Sequence, residues 1–164
     1  MKPIVYIETT IPSYYWDERP SLTFEILRTR EWWDQERDDY RLISSQPVLT
    51  ELGHPLNPNR EKCLNLMQGI PLVALNSEVK NIAIIYVSRK IMPSSMIADA
   101  LHLALAGFYK ADFLLTWNCR HLANANKFRM IHQINSELGI YTPVLTTPYE
   151  LRRIPQEDSS HERE

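Results

Sequence analysis

Val5-Tyr6-Ile7-Glu8-Thr9-Thr10 decides how this chain is read. From Ile4 to Ile7 the run is apolar and rich in β-branched residues, as expected of a strand buried on both faces. It closes on an acid, Glu8. A carboxylate beside a buried strand is costly unless it is paired or bound to a cation. Two more acids stand in comparable places. Glu51 follows a second short strand, in Leu49-Thr50-Glu51-Leu52, and Asp99 interrupts the apolar run Met96-Ile97-Ala98-Asp99-Ala100-Leu101-His102. Three acids placed where a parallel sheet would gather them point to a site for a hard divalent cation.

Outward from that stretch, strands and helices alternate. The first strand covers 4–8 and ends before Pro12. Residues 13–40 read as helical, with Ser21 as N-cap and Leu22, Ile26, Leu27 and Trp33 at helical spacing. Leu42 to Ser45 is a second strand. A helix from about Val48 carries Glu51 until Gly53 and Pro55 break it. Residues 59–68 form another helix, Pro71 to Leu75 a third strand, and Ser77 to Lys90 a helix. Ser95 is placed to cap a strongly apolar helix over 96–109. Phe113 to Trp117 reads as a buried strand, 125–138 as a helix closed by Gly139, and Val144 to Thr146 as a last strand. This alternation predicts an α/β three-layer sandwich, a parallel sheet of about five strands with helices on both faces. A single domain is expected over 1–154, followed by a disordered polar tail over 155–164.

Composition narrows the function classes. The chain has 164 residues, of which 44% are apolar, an ordinary share for a globular domain. No apolar run is long enough to span a membrane, and Met1-Lys2-Pro3 leads into a strand without a signal-peptide core. Two cysteines, Cys63 and Cys119, make neither a disulfide framework nor a zinc motif, which fits a reducing, cytoplasmic setting. The net charge of −2 argues against a generic polyanion binder. Only four glycines are present, none clustered, so a nucleotide-binding glycine loop is excluded. A phosphatase of the haloacid-dehalogenase type would need Asp-x-Asp where the chain has Glu8-Thr9-Thr10. A receiver domain would need an aspartate ending the third strand, where the chain has Leu75-Asn76.

In an open parallel sheet, ligands bind outside the carboxyl ends of the strands. Glu8 and Thr10 lie there by position, as do Thr116 and Asn118. Asp99 falls in the first turn of its helix, where the positive helix end favours an ionised acid. Glu51 is expected within about a turn of its helix start. Four segments distant in sequence thus converge.

These stretches resemble PIN-domain proteins of the VapC-like toxin type, metal-dependent ribonucleases of toxin–antitoxin systems. The matching runs are Val5 to Thr10, Ser45 to Leu52, Ala98 to Ala104 and Phe113 to His121, and the likeness covers roughly 4–147. Each motif is short; their order and spacing carry the resemblance. It implies that Glu8, Glu51, Asp99 and Asn118 occupy the catalytic and metal-site positions, with Mg²⁺ or Mn²⁺ as the ion. Thr10 and Thr116 match the neighbouring hydroxyl positions. It further implies hydrolysis of RNA to 5′-phosphate and 3′-hydroxyl ends, a homodimer and an antitoxin protein as partner. Two departures stand out: Glu8 where the family usually has aspartate, and Asn118 where it often does. Three formal charges rather than four suit one ion better than two.

Each residue also has a plainer reading. Glu8, Asp99 and Glu51 are then locally paired acids, and Asn118 is a turn residue. His102, three residues after Asp99 on the same helical face, is expected as a hydrogen-bonded, supporting histidine rather than a ligand. Arg120 and His121 could meet a phosphate. Trp32-Trp33, with Tyr40, is a candidate subunit contact. The rival function is a degenerate PIN module that binds nucleic acid or an antitoxin without cutting.

Overall fold

The computed structural model describes residues 1–118 and 124–153. Its centre is β1 (Ile4–Ile7), flanked by β2 (Arg41–Ser45) on one side and β4 (Phe113–Leu115) on the other. β3 (Leu72–Val73) and β5 (Val144–Thr146) form the edges, giving the order β3-β2-β1-β4-β5 with every pair parallel. Tyr6 lies opposite Ile43 and Leu114. Val5, Tyr6 and Ile7 are fully buried, as a central parallel strand requires. The chain runs outward from β1 to β3, then returns to lay β4 against the other side of β1. The strand order therefore reverses between β1 and β4, and a crevice opens at their carboxyl ends.

Seven α-helices connect these strands among the described residues. They are α1 (Thr10–Tyr15), α2 (Thr23–Glu31), α3 (Gln46–Leu52), α4 (Arg60–Leu66), α5 (Ser77–Ser88), α6 (Ile97–Phe108) and α7 (Ala125–Leu138). α1 packs on α2 and α5 on α6. α6 buries Ala100, His102 and the whole run Leu103 to Gly107. A Cβ on Gly107 would stand 2.8 Å from the Tyr141 carbonyl oxygen, so this close approach requires glycine. Gly139 closes α7 in the left-handed conformation, φ 69°, as its position predicts.

The predicted helix over 13–40 is wrong as a single element. Pro12 sits inside α1, in the first turn, where its missing N–H removes no helical bond. α1 stops at Tyr15. Pro20 holds Arg19 extended (ψ 123°) and opens a short 3₁₀ turn, Pro20–Leu22. Ser21 therefore caps nothing, and α2 begins at Thr23. After α2 the chain widens into a π turn, Trp32–Glu36, and a 3₁₀ turn, Arg37–Asp39. Leu27, assigned to the apolar stripe, is 56% exposed, whereas Trp32 is fully buried and Trp33 nearly so. Trp32 stacks on the half-buried Tyr40 at 5.7 Å. These rings fill the core, so the predicted subunit contact at Trp32, Trp33 and Tyr40 is overturned. Two expectations lie outside the described residues: the tail over 155–164 and the phosphate contact at Arg120 and His121.

Candidate active site

Glu8 follows β1 directly, and its N–H continues the ladder to the Leu115 carbonyl at 3.3 Å. The side chain is 3% exposed. Its Oε2 accepts from Thr116 Oγ1 at 2.8 Å, from the Thr10 backbone N–H at 3.1 Å and from Thr10 Oγ1. A hydroxyl both donates and accepts, and both threonines use this. Thr10 Oγ1 accepts from the Trp117 N–H at 2.8 Å, and Thr116 Oγ1 accepts from the Asn118 N–H at 2.9 Å. The acid and the segment 116–118 are thus knitted together. Burial pushes the Glu8 carboxyl above its ordinary range; the positive charge of His102 and the threonine donors oppose this without cancelling it. Among the described residues no lysine or arginine forms a salt bridge with Glu8.

Asp99 lies in the first turn of α6, as its position predicts. Asn118 Nδ2 donates to its Oδ2 at 2.9 Å. A continuous path therefore runs from Glu8 through Thr116 and Asn118 to Asp99.

Glu51 is held differently. Pro47 lies in the first turn of α3, which begins at Gln46, so Glu51 stands in the last turn and not near the helix start. The positive helix end expected to hold it ionised is absent there. His102 takes that role: its Nε2 lies 2.7 Å from Glu51 Oε1. The Glu51 side chain is 37% exposed and its partner 1%. Partial burial raises the Glu51 carboxyl, but the bond and charge of His102 outweigh it and leave the group below its usual range. Burial likewise opposes charge on His102. The Glu51 bond and the fields of Glu8, Glu51 and Asp99 prevail, and its pKa is raised. One buried imidazole thus senses all three acids. On its other side Nδ1 meets the Tyr6 hydroxyl at 2.9 Å, and that hydroxyl meets Ser45 Oγ at 2.6 Å. His102 is buried and hydrogen-bonded at both ring nitrogens, as its sequence position suggests.

The site therefore comprises two clusters. One ties Glu8, Thr10, Thr116, Asn118 and Asp99 together; the other ties Glu51 to His102. Among the described residues, no three His, Cys, Asp or Glu side chains form a closed ligand set as they stand. The donor chemistry nonetheless fits a hard cation: three carboxylates, one amide oxygen and no thiolate. A buried acid that forms no salt bridge with a described lysine or arginine also carries charge that such an ion would neutralise. Tyr6 and Ser45 join this network without a clear mark in the sequence. Their signals were slight, a phenol in an apolar strand and a serine at a strand end.

No protein-family model matches the chain, and no curated protein matches it either. A chain in the crystal structure of VapBC2 from Rickettsia felis, bound to a DNA fragment from their promoter, superposes with a TM-score of 0.51 at 16% identity. The match covers 88% of the present chain and 98% of the other. The fold is PIN-like. At this identity the likeness concerns architecture alone, and no helix among the described residues is long and apolar enough to cross a membrane.

Proposed function

We propose that the chain is a Mg²⁺- or Mn²⁺-dependent endoribonuclease acting as the toxin of a toxin–antitoxin pair. The observation that carries this reading is the gathering of Glu8, Asp99 and Glu51 around His102 at the β1/β4 crevice of a PIN-like fold. Glu8, Glu51, Asp99 and the amide oxygen of Asn118 would hold the ion. Bound there, it would activate water and neutralise charge developing on the phosphodiester. Thr10 and Thr116 keep Glu8 in one orientation. One of these carboxylates would take a proton from the attacking water. Water would add to phosphorus as the bond to the 3′ oxygen breaks, and that oxygen would take up a proton from solvent, leaving 5′-phosphate and 3′-hydroxyl ends.

The VapBC2 likeness supports an antitoxin partner; on the present reading that partner lays a small helical segment over the crevice and offers an arginine or lysine to the acids. A homodimer in the cytoplasm completes the reading. One observation favours the rival, a module that binds without cutting: Asp99 is already bonded by the Asn118 amide. RNA cleavage with Mn²⁺, with chelator and by Asp99→Asn separates the two. Metal-dependent cleavage that Asp99→Asn abolishes supports the nuclease; equal cleavage by the folded variant, or none by the wild type, refutes it.

A further inference from the structure

Glu51 presents a problem that the other acids do not. It stands at the end of a seven-residue helix, more than a third of its side chain is exposed, and a glutamate there has several rotamers available. A ligand to a cation needs one orientation. His102, fully buried on α6, holds this carboxylate at 2.7 Å. A histidine can hold a carboxylate in one place only if its own ring is held.

That anchoring is built from the sheet. Tyr6 and Ser45 sit on the adjacent strands β1 and β2. Tyr6 lies opposite Ile43, so Ser45, two residues further on, faces the same side. The Tyr6 hydroxyl joins Ser45 Oγ and His102 Nδ1 at 2.6 and 2.9 Å, with all three residues fully buried. A bond at one ring nitrogen fixes the ring and sets what the other nitrogen presents. With Nδ1 engaged by Tyr6, Nε2 carries its proton toward Glu51. The path crosses four elements, β2, β1, α6 and α3, and ends on a half-exposed acid.

We propose that His102, anchored through Tyr6 to Ser45, is the positioning residue for Glu51 and presents its carboxylate to the divalent cation in one fixed orientation. The inference rests on the cation reading of the site. It assigns Tyr6 and Ser45 a role in ion affinity although neither touches the ion.

Calorimetric Mn²⁺ titration of the full chain tests this without reference to cleavage. Tyr6→Phe removes one oxygen and should weaken Mn²⁺ on the order of tenfold, the usual size for an outer partner of a ligand. In a Glu51→Gln background the same change should add nothing. His102→Gln, whose amide N–H can replace Nε2–H, should retain most of the affinity that His102→Leu loses. A purely structural role predicts the opposite: Tyr6→Phe equally harmful with or without Glu51, and Gln no better than Leu. Either result overturns the proposal. A second readout uses the metal-free protein. The Nε2–H proton in its 2.7 Å bond should give a slowly exchanging imidazole resonance that Tyr6→Phe broadens away. Persistence of that resonance in Tyr6→Phe overturns the positioning role alone. Absence of Mn²⁺ binding by the wild type overturns the cation reading and the role with it.

Discussion

Glu8 and Glu51 are the same residue type on opposite sides of one histidine, and their surroundings drive them apart. Glu8 is sealed at the end of the central strand, and its hydrogen bonds come from neutral hydroxyls and a backbone N–H. Its carboxyl is pushed up. Glu51 stands half in solvent at a helix end, paired with a buried imidazole, and its carboxyl is pulled down. The same carboxylate is thus shifted in opposite directions by burial in one place and by a buried imidazole in the other. The difference also separates cost from support: Glu8 burdens the fold, whereas Glu51 with His102 contributes to it.

The largest effect should come from Glu8→Gln. Cleavage should fall to background while thermal stability at neutral pH rises, by about 1 kcal/mol, since a buried charge is removed and the threonine bonds can persist. The sign follows from the raised folded pKa: the burden appears as pH climbs above 4.5, so wild type and variant should converge in acid. A variant less stable than wild type at pH 7 would break the contrast.

Next is Thr116→Val. It removes a donor from Glu8 Oε2 and leaves the Asn118 N–H unmatched, a loss of about 1–3 kcal/mol in stability. Thr116→Ser should restore both stability and cleavage. Failure of serine to rescue would place the effect in packing.

Smaller again is the loss of stability in Glu51→Gln, expected to be below about 1 kcal/mol because the carboxylate is partly solvated. The folded pKa of Glu51 is depressed, so its contribution is present above 4.5 and fades as pH falls through the folded value. That of His102 is raised, so its share is complete below 6.5 and fades as pH rises through the folded value. Urea midpoints of wild type and variant should therefore differ most between 4.5 and 6.5. A difference that grows steadily above that window would contradict the pairing.

The smallest change concerns Asn118. Asn118→Asp sets a carboxylate against Asp99 Oδ2, where the amide now donates at 2.9 Å. It should lower the stability of the metal-free protein through like-charge repulsion and tighten Mn²⁺. Unchanged Mn²⁺ affinity would mark Asn118 as a turn residue.

Much of this arrangement was legible in the sequence. The continuous apolar runs at Ile4–Ile7 and Phe113–Leu115 announced central strands, and Gly139 marked the end of α7. The position of Asp99 in the first turn of α6 was legible from the apolar run that starts at Met96. Two readings failed on prolines. Pro20 divides the helix predicted over 13–40, and Pro47 moves the start of α3 forward, which shifts Glu51 to its last turn. The inward turn of both Trp32 and Trp33 depends on a π turn that periodicity does not reveal. The Ser45–Tyr6–His102 path was not legible, because it joins residues 39 and 96 positions apart through a register only the sheet defines.

Glu8, Asp99, Asn118 and Glu51 are proposed to serve one ion. Paramagnetic broadening by substoichiometric Mn²⁺ tests it most directly, read on the side-chain carboxyl and amide resonances of the wild-type protein. The carboxyls of Glu8, Asp99 and Glu51 and the amide of Asn118 should broaden together, before any surface acid such as Glu18 or Asp38. Broadening that spares these four, or that reaches Glu51 without Glu8 and Asp99, would contradict it.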